Sequence, residues 1–203
     1  MRLLPSGSTA LLVELDDLAA VLALYAAVLD DRPPGVVDVV PAARTVLLVI
    51  DTAVTTLDEV ARGVRNASPR PGRRSIGSLL EVPVTYDGED LDEVADLLHC
   101  TPADVVRRHV AQEWTVAFCG FAPGFGYLTA AAWPWDVPRR EGPRTAVPPG
   151  SVALAGSFSG VYPRASPGGW QLIGRTDLVV FDPSREPAAL LRPGVRVQFV
   201  DVT

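Results

Sequence analysis

From Trp114 onward the chain cannot stay helical for long, because proline and glycine interrupt it every few residues. A proline inside a helix removes a backbone donor and clashes with the preceding turn, at a cost of about 3 kcal/mol or more. Between the interruptions lie short apolar, β-branched runs: Thr115–Phe121, Ser151–Ala155, Gln171–Ile173, Leu178–Phe181 and Val195–Val200. Short strands separated by long Pro/Gly-rich connectors predict a β-barrel or sandwich whose loops carry the function.

The first 66 residues read differently. Thr9–Leu15 is a short apolar strand, and Asp16 and Asp17 then supply cap and first-turn carboxylates for an Ala/Leu-rich helix to about Leu29. Asp31-Arg32-Pro33-Pro34-Gly35 breaks that helix, and Val36–Val40 and Thr45–Ile50 form a hairpin around Pro41-Ala42-Ala43-Arg44. Thr56-Leu57-Asp58-Glu59 opens a second helix ending near Arg65. The order β-α-β-β-α predicts a small α+β sheet with its helices on one face. At 203 residues the chain has room for one large or two small domains. Asn66–Arg74, with two prolines, a glycine and three arginines, reads as the linker between them, and a basic phosphate-binding strip is the other reading. We therefore expect an α+β domain over 1–75 and a β-barrel domain over 76–203 that carries the site. The second domain begins with a strand at Leu79–Tyr86, an Asp87-Gly88 turn and an acidic helix at Leu91–Leu98. Thr101, with Pro102 at the first helical position, then caps a helix through about Gln112.

Composition excludes several chemistries. All 18 basic residues counted as Lys or Arg are arginine. No P-loop lysine, kinase strand lysine, Schiff-base amine or biotin-carrying lysine can therefore come from this chain. A net charge of −6 argues against a dedicated nucleic-acid binder. Met1–Leu15 lacks the basic and apolar pattern of a signal peptide, and the run Leu18–Leu29 is too short to span a bilayer. The expected protein is cytoplasmic, off the membrane, with Cys100 and Cys119 reduced. His99 and His109 are the only histidines and no Cys-x-x-Cys occurs, so no metal or organic cofactor is expected on this chain.

Three segments are rich in glycine, proline and aromatics without resembling linkers. Gly120-Phe121-Ala122-Pro123-Gly124-Phe125-Gly126-Tyr127-Leu128 fixes large rings around a rigid Pro-Gly turn, either as a ligand wall or as a packed corner. Pro138-Arg139-Arg140-Glu141-Gly142-Pro143-Arg144 offers paired donors for a carboxylate or phosphate, or is an ordinary basic surface loop. Tyr162-Pro163-Arg164-Ala165-Ser166-Pro167-Gly168-Gly169-Trp170 leads into Gln171-Leu172-Ile173-Gly174-Arg175-Thr176, and its glycines suit either an anion nest or a structural turn. His109, late on the helix opened by Thr101, is either structural or a proton carrier. His99 reads as a surface or helix-end residue. No Gly-x-Ser-x-Gly elbow occurs, since Gly156-Ser157-Phe158-Ser159-Gly160 places Phe158 at its centre.

These three motifs, together with Leu191-Arg192-Pro193-Gly194-Val195-Arg196-Val197-Gln198-Phe199, resemble the B subunit of bacterial 5-oxoprolinase, a family also known as allophanate hydrolase subunit 1. The resemblance is strong over 105–200 and weaker over 1–75. It implies a ferredoxin-like α+β domain followed by a cyclophilin-like β-barrel. It also implies a C-type subunit (allophanate hydrolase subunit 2) and an A-type subunit as partners, and ATP used by the complex to open the lactam of 5-oxo-L-proline to glutamate. The matched positions are His109, Phe121, Pro123, Gly124, Phe125, Tyr127, Arg140, Arg144, Ser151, Tyr162, Ser166, Pro167, Gly168, Gly169, Trp170 and Arg175. By side-chain type, His109 is the candidate proton carrier. Arg140, Arg144 and Arg175 are candidates for holding a carboxylate or phosphate, and the aromatics for covering a flat ring.

Three departures stand out. The turn Tyr86-Asp87-Gly88-Glu89-Asp90-Leu91 is shorter than the family's, which puts any role of Glu89 in question. Ser157-Phe158 replaces a polar Asn-Gln pair, and Gly126 stands where a larger residue is usual. The family also includes a sporulation-kinase inhibitor and part of urea amidolyase. A regulatory module acting on a sensor histidine kinase and a carboxyltransferase-like partner are therefore alternative readings.

Overall fold

The computed structural model describes residues 1–66 and 79–203, so the expected linker Asn66–Arg74 lies outside the described residues apart from Asn66. The chain divides into two compact units, Met1–Arg74 and Ser75–Thr203.

The first unit runs β1 (Arg2–Ser6), β2 (Ala10–Glu14), α1 (Leu18–Asp30), β3 (Val36–Pro41), β4 (Thr45–Ile50) and α2 (Leu57–Asn66). Its antiparallel sheet has the order β1-β2-β4-β3. From β2 to α2 the order is the expected β-α-β-β-α, with β4 between β2 and β3 as a ferredoxin-like arrangement requires. The outer place beside β2, filled in that arrangement by a closing strand, is taken by β1. The sequence pattern does not predict β1, because Pro5 interrupts it; an edge strand tolerates a proline whose missing N–H faces away from its partner. Asp17 rather than Asp16 caps α1, accepting from the Ala20 amide at 2.8 Å. Leu11, Val13, Val46, Leu48 and Ile50 alternate along their strands onto the face that buries Val21, Leu24 and Val28 of α1 and Val60 and Val64 of α2.

The second unit opens with β5 (Leu79–Val84), α3 (Leu91–Leu97) and α4 (Pro102–Val110). It continues with β6 (Trp114–Cys119), β7 (Gly126–Thr129), β8 (Arg144–Val147), β9 (Ser151–Ala155), β10 (Phe158–Val161), β11 (Ser166–Gly168), β12 (Gln171–Arg175) and β13 (Arg196–Asp201). Thr101 caps α4 in a reciprocal box with Asp104, as its sequence predicts. Seven strands form one sheet of order β12-β9-β10-β7-β6-β13-β5, while β8 and β11 pair separately. The edges β5 and β12 nearly close the sheet into a barrel. They meet through Thr85 and Arg175, whose backbones exchange two hydrogen bonds of 2.9 Å. The α+β class with a barrel is thus the observed architecture.

β9 is buried along its whole length. Val152 and Leu154 join the barrel interior with Val116, Leu128, Ile173 and Val197, while Ala153 and Ala155 join an aromatic layer on the other side. Period-2 alternation therefore buries both faces of this strand.

The expected strand Leu178–Phe181 is not a strand. It bonds to the irregular stretch 188–190 through the Leu190 amide to the Val180 carbonyl and the single Phe181–Ala189 bridge, too few bonds for a ladder. β7, β8, β10 and β11 stand where the sequence predicts connectors, because Gly126, Gly160 and Ser166-Pro167-Gly168 carry turn composition. Barrel neighbours override that local preference.

Gly88 has no room for a side chain: a Cβ there would stand 2.3 Å from the carbonyl carbon of Ile173 and 2.3 Å from the Leu172 oxygen. Gly63 in α2 has open space at the same position. Gly88→Ala is expected to destabilise the protein by about 2–3 kcal/mol through forced backbone displacement. Gly63→Ala is expected to stabilise it by about 0.5–1 kcal/mol through lost unfolded-state freedom. Urea unfolding of the two variants reads both signs.

Candidate functional site

The aromatic layer outside the barrel brings the first and third motifs together. Phe125 and Tyr127 leave the Ala122–Phe125 turn and meet Trp170 edge-on at ring distances of 5.3 and 5.5 Å. Phe125 also meets Tyr162 at 5.3 Å. Phe125, Tyr162 and Trp170 are buried, so they form a packed wall. Gly168 is the condition for this packing, since a Cβ there would stand 2.4 Å from the Tyr162 hydroxyl. Phe121 behaves differently: the residue is 58% exposed. It lies edge-on to Phe125 at 5.4 Å and to Tyr162 at 6.1 Å. Its backbone holds φ +67, a left-handed conformation that a bulky residue adopts only under constraint.

The second and third motifs are joined through the backbone. Gly168 pairs with Arg144 across β11 and β8, and the Arg140 amide donates to the Gly169 carbonyl at 2.9 Å. Ser166 pairs with Val147 in the same ladder, and its hydroxyl donates only to the nearby Arg164 carbonyl at 3.5 Å.

The two arginines of this loop converge on a residue that the sequence pattern does not single out. Asp90 is 2% exposed. One of its oxygens accepts from Arg140 at 2.5 Å and from Arg144 at 2.7 Å, and the other accepts from the Leu172 amide at 2.7 Å. Glu89 adds a second contact to Arg144 at 3.1 Å, so the shortened turn does supply a carboxylate here. Burial alone would raise the Asp90 carboxyl, but the Arg144 bond, the Leu172 amide and the two positive charges hold it below the usual carboxylate range. The only signal in the sequence is positional. Asp90 stands at the N-cap of α3 yet makes no side-chain cap bond, because its oxygens are taken across the fold. Arg140 Nε and Arg144 Nη1 remain buried without partners among the described residues.

His109 and Arg175 stand apart from this cluster. His109 is fully buried. Its Nδ1 bonds the Tyr86 hydroxyl at 2.7 Å and its Nε2 the Ser159 hydroxyl at 2.9 Å. Phe199 and Trp114 pack on the ring at 4.3 and 5.1 Å between centroids. Burial lowers its pKa to about 3, so it is neutral at physiological pH. With both nitrogens occupied inside the core, the geometry gives this imidazole a structural place. Arg175 sits at the barrel seam and donates from Nε to Asp87 at 3.0 Å, with both side chains about half exposed. Cys119 donates to the Leu191 carbonyl, and burial pushes its thiol up to about 11.

Residues 1–191 match the family described as carboxyltransferase domain, subdomain C and D. The B subunit of 5-oxoprolinase from Escherichia coli O157:H7 is 40% identical over 171 residues, covering 82% of this chain and 78% of that protein. The chain belongs to the family of 5-oxoprolinase B subunits. A second member, from Bacillus subtilis, is 44% identical over 128 residues, which is 62% of this chain and 53% of that longer protein. The crystal structure of TTHA0988 superposes at a TM-score of 0.76 with 36% identity, over 96% of this chain and 40% of that one. The urea amidolyase of K. lactis shares the fold at a TM-score of 0.76 and 19% identity, over 100% of this chain and 16% of that one. The chain thus spans only part of several family relatives.

Because the unfolded chain protonates His109 near its ordinary value and the folded protein only near 3, acid removes stability from this group. The loss begins as pH falls through about 6.5 and proceeds at about 1.4 kcal/mol per pH unit until about pH 3. The measurement is the pH dependence of urea unfolding for the protein and for His109→Gln, whose curve is expected to be shallower by one proton in that window. An NMR titration of the protein itself is expected to show the His109 ring still neutral at pH 5. For Asp90, the change Asp90→Asn leaves two arginines facing a neutral amide. A loss of about 2–4 kcal/mol is expected in the same unfolding experiment.

Proposed function

We propose that this chain is the B subunit of an ATP-dependent 5-oxoprolinase, inactive alone, working in the cytoplasm with C-type and A-type subunits. The complex opens 5-oxo-L-proline to glutamate. One observation carries the reading: the three motifs that match the family are joined in one place, where an aromatic wall lies beside the loop that carries Arg140 and Arg144. The name shared by the E. coli and B. subtilis relatives supplies the substrate class.

A lactam is a weak electrophile because its nitrogen lone pair is delocalised into the carbonyl. Transfer of the γ-phosphoryl group from ATP to the amide oxygen releases ADP and makes the ring carbon open to water; the ring C–N bond then breaks with the nitrogen leaving as the amine, and a second water releases inorganic phosphate from the acyl phosphate to leave the carboxylate. Such a reaction needs charge stabilisation at the phosphates. With no lysine in the chain, this subunit can contribute arginines and loop amides, and any lysine at the phosphates comes from a partner. His109 is not assigned to the chemistry in this reading, because the core encloses it.

The test is reconstitution. Co-purified with its A-type and C-type partners, the chain is expected to support ATP-dependent glutamate release from 5-oxo-L-proline, and alone to release none. Arg144→Ala in the complex is expected to reduce that release at least tenfold, because it removes one of the two guanidinium groups that hold Asp90. An assembled complex that forms no glutamate in the presence of ATP would overturn the proposal.

A further inference from the structure

Arg140 and Arg144 are arginines whose side-chain type suits an anion, yet their charges are already met inside the chain. One Asp90 oxygen accepts from both, at 2.5 and 2.7 Å. Glu89 lies 3.1 Å from Arg144, and Glu93 lies 3.6 Å from Arg140. Two guanidinium groups therefore face three carboxylates, which leaves the cluster with a formal charge of −1. An incoming carboxylate or phosphate meets compensated charge there, not an attractive field. To take the arginines it would also strip Asp90 of its partners, and Asp90 is 2% exposed. A buried carboxylate left without its counter-charges is strongly unfavourable.

Asp90 is itself fixed to β12. Its second oxygen accepts from the Leu172 amide at 2.7 Å, and its own amide donates to the Leu172 carbonyl at 3.0 Å. The arginines are thus held by a carboxylate that is held by the barrel. What they carry with them is backbone. The Arg140 amide donates to the Gly169 carbonyl at 2.9 Å, and Arg144 stands opposite Gly168 in the β8–β11 ladder. Gly168 and Gly169 lead directly into Trp170, a ring of the aromatic wall.

We infer that Asp90, Arg140 and Arg144 form a positioning unit that sets the Gly168-Gly169 backbone, and that neither arginine receives the substrate or a phosphate. The kinetic part of its test rests on the proposed 5-oxoprolinase reading.

The experiment compares wild type, Asp90→Asn, Asp90→Glu and Arg144→Ala, each confirmed as folded by its urea curve. In the full chain, NMR follows the Gly168 and Gly169 amides. Both signals are expected to move in Asp90→Asn. They are expected to move in Asp90→Glu as well, because the added methylene displaces the carboxylate within a closed space; this variant keeps the charge and serves if the neutral one does not fold. In the assembled complex, kcat is expected to fall at least tenfold in each variant, while KM for 5-oxo-L-proline and KM for ATP stay within about threefold of wild type. The double variant Asp90→Asn/Arg144→Ala is expected to be no slower than the slower single variant, since members of one unit do not add. Unmoved Gly168 and Gly169 signals in a folded Asp90 variant overturn the inference. So do a kcat near wild type in such a variant, single losses that multiply in the double variant, or a tenfold rise of either KM in Arg144→Ala. Arg144→Ala leaves Asp90 its Arg140 and Leu172 donors, so its KM values decide the matter if neither Asp90 variant folds. If the glycine signals move but the wild-type complex forms no glutamate, the proposed reaction fails and the positioning unit stands.

Discussion

A single buried carboxylate organises the loops of the second unit. Asp90 is taken out of water by the fold and would be unfavourable there as an isolated charge. Its three donors come from three separate places in the sequence: Arg140, Arg144 and the Leu172 amide. Satisfying Asp90 therefore forces the arginine loop, the start of α3 and strand β12 to one place. The arginine loop in turn holds Gly168 and Gly169 through its backbone, and Gly168 lets Tyr162 and Trp170 close with Phe125. The wall of rings is downstream of an electrostatic requirement, which explains why a loop so rich in glycine and proline keeps one shape.

The barrel interior answers a different constraint. Tyr86, His109 and Ser159 form a short polar chain inside an otherwise apolar core. Each ring nitrogen has a partner, so the buried imidazole avoids the penalty of an unmet hydrogen bond. The same arrangement sets the histidine apart from the arginine loop. Two chemistries that look related in the sequence, a lone histidine and a cluster of arginines, thus serve separate purposes in the fold.

Much of this architecture is legible in the residues themselves. The caps at Asp17 and Thr101, the hairpin of β3 and β4, and the change of texture at Trp114 are local signals, and local signals survive into the structure. The three motifs are also legible as a set, because their compositions are too unusual for linkers. What escapes is long-range. Asp90 looks like an ordinary helix-start acid, and only the fold brings Arg140 and Arg144 to it from 50 and 54 residues away. The same holds for the short strands β7, β10 and β11, whose glycines suit turns until neighbouring strands supply partners. The place of His109 depends on which side of α4 meets the barrel, and a single histidine on one helix does not reveal that.

The parallel pairing of β5 with β13 joins the start of the second unit to its far end. A contact such as the one from the Tyr86 amide to the Thr203 hydroxyl spans 117 residues. The chain entropy of closing so long a loop must be overcome before the β5–β13 ladder forms, a topology that slows folding. Until β13 pairs with it, β5 presents the backbone groups of one strand edge without a ladder partner. Before that pairing forms, such an edge is open to pairing with other chains.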